Sequence, residues 1–119
     1  MKHLRLLIAT LLLISATSAK AQTARLYTSA DGLANSHIYD IFQDSKGFIW
    51  ISTENGLSRF DGMKFSTFRY DRLNENTIAS NTIRSVHEDS KGQFWVGTSA
   101  GLQIFDTEYS TFTKVNLED

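Results

Sequence analysis

The sequence predicts an all-β fold, and three observations carry that prediction. First, residues 38–61 recur at 83–106, with 11 identities in 24 positions at a fixed offset of 45 and no gap. The matched pairs begin at Ile38 and Ile83 and run through Asp44, Ser45, Lys46, Gly47, Trp50, Thr53, Gly56, Leu57, Phe60 and Asp61. Second, each unit reads as short β-branched and aromatic runs separated by turn residues. Third, no segment after residue 21 holds a 3.6-residue apolar period, which sets aside the helical solenoids that share this repeat length. Four short strands in about 45 residues is the blade period of a β-propeller.

Within the first unit, Ile38 to Gln43 is the first predicted strand. Asp44-Ser45-Lys46-Gly47 follows, with Asp at the start of a turn and Gly where φ turns positive. Phe48 to Thr53 is apolar on both sides of its pleat, as expected of a strand covered on both faces. Glu54-Asn55-Gly56 turns the chain into a third strand, Leu57 to Phe60. Asp61-Gly62 signals a tight hairpin into a fourth, Lys64 to Tyr70. The second unit repeats the pattern through Tyr109 to Val115, with Asp106-Thr107-Glu108 in place of the tight turn.

The first residues stand apart from this pattern. Met1 to Arg5 is short and basic, Leu6 to Ile14 is apolar, and Ala19-Lys20-Ala21 offers an A-x-A cleavage site. That is the layout of a secretory signal peptide. A run of nine is far shorter than the roughly 20 residues of a spanning helix. The expected organisation is therefore a signal peptide at 1–21, a lead-in at 22–34, one blade at 35–79 and a second at 80–119. Within the lead-in, residues 24–28 are expected to be an outer strand of another blade. Two blades leave sheet faces uncovered, so the pattern predicts a piece of a longer array whose missing blades belong to the same chain.

Composition narrows the function classes. There is no cysteine, which removes disulfides and thiolate metal sites. Loss of Lys2, Arg5 and Lys20 with the signal leaves nine basic residues against 13 acidic, a net charge near −4. The remaining Lys and Arg are dispersed, which argues against direct contact with nucleic acid.

Each candidate site residue has a structural explanation beside its functional one. Asp44 and Asp89 each supply one carboxylate where a calcium loop needs several, so turn roles are expected, and the same holds for Asp61. Trp50 and Trp95 could stack on sugars, but their apolar flanks predict packing between blades. Tyr27, Tyr39, Tyr70 and Tyr109 lie nearer strand ends and could line a rim. His37 and His87 fall at non-equivalent positions of the repeat. Arg59 and Arg84 occur once each, with no evident acidic partner. No G-x-S-x-G turn, Walker or Rossmann pattern is present, so no catalytic residue, metal ligand or cofactor is assigned, ligand-binding residues remain unassigned, and the segment is not expected to be an enzyme.

The string D-S-K-G-x-x-W-[IV]-x-T-x-x-G-L-x-x-F-D resembles the two-component regulator propeller repeat. Leu33 to Ile38 and Ile78 to Ile83 resemble the segments that lead into such repeats. Ser52 departs from the usual glycine, which the second unit keeps as Gly97. The resemblance implies the N-terminal part of a periplasmic sensor in a hybrid two-component histidine kinase. It implies an oligosaccharide ligand, a homodimer and an inner-membrane anchor at full length, and kinase activity outside these 119 residues. Exported propeller glycosidases or lyases, and stand-alone carbohydrate-binding propellers, are the alternatives. A sialidase-type Asp-box, S-x-D-x-G-x-x-W, has one residue fewer between Asp and Gly than this chain.

Overall fold

A computed structural model describes residues 24–117; the expected signal peptide lies outside them. The described chain forms two four-stranded antiparallel sheets, each with its strands side by side in chain order. The first holds β1 (Ile38–Gln43), β2 (Ile49–Thr53), β3 (Gly56–Phe60) and β4 (Phe65–Phe68). The second holds β5 (Ile83–Glu88), β6 (Phe94–Thr98), β7 (Gly101–Asp106) and β8 (Thr111–Lys114). This is the all-β, two-blade arrangement that the repeat predicts.

Local chemistry explains where the strands end. At the β1–β2 turn, Asp44 N–H donates to the Phe48 carbonyl and Gly47 N–H to the Asp44 carbonyl. The three-residue loop closes because Gly47 takes φ +92°, and Gly92 at +79° does the same in the second blade. Thr53 closes the β2–β3 turn, its hydroxyl donating to the Gly56 carbonyl at 2.6 Å; Thr98 repeats this on Gly101. β4 is shorter than expected at both ends. Lys64 belongs to the hairpin turn, where its carbonyl accepts from Asp61 N–H. Arg69 and Tyr70 leave the ladder for tertiary partners: Arg69 Nε donates to the Asn55 carbonyl, and Tyr70 N–H to Asn81 Oδ1.

Cross-strand partners share a face, so register sorts the side chains. Phe42 pairs with Trp50, Trp50 with Arg59, and Leu57 with Phe68, which places them on one face of the first blade. Ile41, Ile51 and Ser58 share the other. The core lies between the blades. Trp50, Leu57 and Phe68 on the first face meet Ile83, Val86, Phe94, Val96, Phe105 and Phe112 of the second blade. Trp50 lies 5.5 Å from Phe94 and 5.3 Å from Phe105, centroid to centroid, and Phe68 lies 5.7 Å from Phe112. Full burial of each such side chain contributes about 1.5–3 kcal/mol, so this one interface holds most of the hydrophobic stabilisation available to two blades.

The outward faces show the same surfaces uncovered. Ile83 is 0% and Val86 4% exposed, whereas their counterparts Ile38 and Ile41 are 41% and 61% exposed. Trp50 is 1% exposed, and its counterpart Trp95 is only partly buried. Each uncovered face is thus the equivalent of one that the neighbouring blade buries.

Polar latches close both ends of the interface. Glu88 accepts from Ser45 N–H at 2.7 Å and from the Ser45 hydroxyl at 2.8 Å. At the opposite end, Gly56 N–H donates to the Asn81 carbonyl at 2.7 Å. Each lead-in is tied to its own blade by a matching backbone-to-side-chain bond: Ala34 N–H to Ser58 Oγ, which is buried, and Ala79 N–H to Gln103 Oε1, which is partly buried, both 2.8 Å. Residues 24–28, expected as an outer strand, pair with no strand among the described residues. Instead Thr28 is the N-cap of a short 3-10 turn, Ser29–Asp31, and Tyr27 packs on Phe60 and Phe65. The strand expected there needs a blade that these residues do not include.

Candidate ligand-facing surface

The two sheets approach each other at β1 and β5 and splay towards β4 and β8, so β1 and β5 lie on the inside of the curve. Both strands carry a register irregularity at the same place, between Ile38 and Asp40 and between Ile83 and Ser85. The residues set out of register are Tyr39 and Arg84. A bulge re-aims a side chain away from the ladder, and here it brings the two residues together. The Arg84 guanidinium lies 4.9 Å from the Tyr39 ring centroid, across the blade boundary. The His37 ring also lies 4.9 Å from the Tyr39 ring, centroid to centroid, and His37 Nδ1 lies 3.6 Å from Glu54 Oε2. Tyr39, Arg84, His37 and Glu54 are all exposed. The arrangement offers a ring face, a guanidinium fork, a carboxylate and an imidazole on one patch. Those groups suit hydrogen bonding to hydroxyls and packing on an apolar ring face.

The remaining candidates are placed as follows. Asp44 and Asp89 are turn residues with a second task. One oxygen of Asp44 accepts from Lys46 and Phe48 N–H at 2.9 and 3.0 Å, and the other accepts the Trp50 indole N–H at 2.9 Å. Asp89 repeats all three bonds with Lys91, Gln93 and Trp95, at 2.9, 2.9 and 3.0 Å. Asp61 accepts from Met63 and Lys64 N–H in its own turn. Tyr70 and Tyr109 are exposed and apart from the Tyr39 patch, while Tyr27 covers the β3–β4 hairpin. His87 faces Phe42 at 6.1 Å. Arg59 lies over the rings of Phe48, Trp50 and Phe68. Sequence reasoning missed the aspartate–indole bond, although its signal was present: Asp and Trp stand six apart in both units.

These bonds predict an acid dependence. The Asp89 carboxyl titrates below its ordinary 3.8, chiefly because the Trp95 indole donates to the ionised form and Gln93 N–H adds to it. Asp61 is lowered too, by the backbone N–H groups of Lys64 and Met63. A carboxyl whose value is lower in the folded state stabilises the fold above 3.8, and that contribution fades as pH drops through the folded-state value. Asp89→Asn is therefore expected to lower the urea midpoint at pH 6 and to differ progressively less from the parent chain as pH falls below 3.8.

Comparison with known proteins places this geometry. Residues 32–55 and 77–100 match the family model described as the two component regulator propeller. These two segments are two-component regulator propeller repeats. The matched segments run from each lead-in through β2 in the first blade and β6 in the second, so each holds one bulge, one aspartate turn and one tryptophan. Over 68 residues the chain is 37% identical to Histidine kinase P4 of Formosa agariphila, covering 54% of this chain and 5% of that protein. Among solved structures it is similar to the extracellular domain of a hybrid two-component system from B. thetaiotaomicron. That match has a TM-score of 0.69 and 28% identity, over 79% of this chain and 13% of the other. A second such domain from B. thetaiotaomicron matches with a TM-score of 0.65 and 25% identity, over 84% and 14%. The chain thus spans a small part of every one of these relatives.

Proposed function

We propose that these blades are part of the extracellular, periplasmic sensor of a hybrid two-component histidine kinase, recognising oligosaccharides and signalling across the membrane. The observation that carries this reading is the pair of regulator propeller repeats folded as blades, in the arrangement of extracellular domains from hybrid two-component systems. Further blades of the same chain cover the open faces at Ile41 and Trp95. The complete protein is anchored in the inner membrane and works as a homodimer. Ligand acts by binding one arrangement of that dimer more tightly than another, which shifts the equilibrium that controls the kinase. The segment itself performs no chemistry. The Tyr39–Arg84 patch is its ligand-facing part, because bulges aim both residues off the inner strands.

The test has two parts. The reading frame past the Asp119 codon should continue through more blades to an apolar span and a kinase. A frame leading instead to paired carboxylates and clustered arginines would make the protein a glycosidase. In the complete exported region, Tyr39→Ala should weaken oligosaccharide binding roughly tenfold, equivalent to about 1.4 kcal/mol. Unchanged affinity would move the ligand elsewhere on the ring.

A further inference from the structure

A second feature lies away from the inner strands, at the end of the blade interface where the β1–β2, β5–β6 and β7–β8 turns meet. A cleft of about 370 Å³ opens there between the blades, lined by Arg59, Lys46, Phe48, Asp44, Glu88 and Thr107 among others. Arg59 projects from the middle of β3, where the second blade has Ile104. Its guanidinium carbon sits 5.2 Å from the Phe48 ring centroid, 5.4 Å from Trp50 and 5.5 Å from Phe68. Among the described residues, no carboxylate or carbonyl pairs with it, and Lys46 has no acidic partner either.

The acids that line the cleft are already engaged. Asp44 accepts three N–H groups across its two oxygens, and Glu88 takes both donors of Ser45. The lining thus carries two acids and two bases, and the charged group left without a hydrogen-bonding partner beside the open volume is a guanidinium held in place by three rings, with a lysine at the rim. Holding a half-buried guanidinium without a counter-ion is unfavourable. The fold does not require it, since isoleucine serves at the equivalent position. A planar fork of N–H donors, fixed by stacking, matches the two oxygens of a carboxylate. The volume falls at the lower end of the range for small-molecule sites.

We propose that this inter-blade cleft binds a small organic carboxylate, no larger than an acidic monosaccharide such as a hexuronate, with Arg59 as the binding residue. The site does not depend on the sensor reading, because it shares no residue with the Tyr39–Arg84 patch. A ligand bridging Arg59 on β3 and the turns of both blades would lock their relative position.

The test is calorimetric titration of the full chain with sodium glucuronate, with glucose and sodium chloride as controls. It is paired with the Arg59 Nε–H signal in a proton–nitrogen correlation spectrum. Glucuronate should give saturable heat and shift that signal, and glucose should do neither. Arg59→Ile copies the second blade and should abolish the response; Arg59→Gln, which keeps a polar side chain, should weaken it at least tenfold. Tyr39→Ala should leave it intact. No saturable response to glucuronate, an equal response to glucose, or full affinity in a folded Arg59→Ile or Arg59→Gln chain overturns the proposal. A shift that chloride alone reproduces also overturns it, since that means general anion screening.

Discussion

Replacing Trp50 with alanine is expected to destabilise the chain by about 3–5 kcal/mol, the range for deleting a large buried aromatic. The same change at Trp95 should cost roughly 1–2 kcal/mol, in proportion to its partial burial. The two residues are equivalent in the repeat, in strand register and in the aspartate that holds their indole. They differ in what covers them. Trp50 is sealed by Phe68, Phe94 and Phe105, with ring centroids 5.3–5.9 Å away, whereas no blade lies over Trp95 among the described residues. Urea unfolding of both variants measures the difference. Equal losses would mean that the aspartate–indole bond, not packing between blades, sets the tryptophan's contribution. Adding the next blade to the chain should raise the loss at Trp95 towards that at Trp50.

How much of this could be read in advance depends on the range of the interaction. Turns and strands were legible because their causes are local. Asp44 and Gly47 are three residues apart, and their hairpin needs nothing from elsewhere. The burial of Trp50 was legible from its apolar flanks, since a strand without polar alternation has two covered faces. Equivalences that rest on geometry rather than residue type were not. Ser58 and Gln103 look unrelated, yet they stand at the same position of the repeat and both accept from the lead-in amide of their own blade at 2.8 Å. The bulges at Tyr39 and Arg84 leave no compositional mark, so the meeting of those two side chains across the boundary was invisible. Arg59 read as an arginine without an acid. That was correct as far as sequence goes, and the three rings that hold it come from residues 9 to 11 positions away, on β2, on β4 and at the end of the β1–β2 turn. The expectation at 24–28 depended on a partner strand from another blade, which no local signal can supply.

Asp44 provides the second large effect. Asp44→Ala removes the acceptor for two turn N–H groups and leaves the Trp50 indole N–H inside the core without a partner. The backbone donors of Lys46 and Phe48 lie at the turn and can recover water, but the indole cannot. An unpaired buried donor costs about 1–3 kcal/mol, and the lost charge-assisted bonds add to it, so a total of about 2–4 kcal/mol is expected. Asp44→Asn should recover only part of that. Its carbonyl can serve the two backbone donors, but its amide then presents N–H to the indole N–H, setting donor against donor. The expected order of urea midpoints is parent, Asn, then Ala. Combining Asp44→Ala with Trp50→Phe separates the two contributions, because phenylalanine has no N–H to strand. If the bond to the indole is the larger part, Asp44→Ala should cost clearly less in the Trp50→Phe background than in the parent. Identical losses in both backgrounds would confine Asp44 to the turn, and the six-residue Asp-to-Trp spacing would then carry no stabilising interaction of its own.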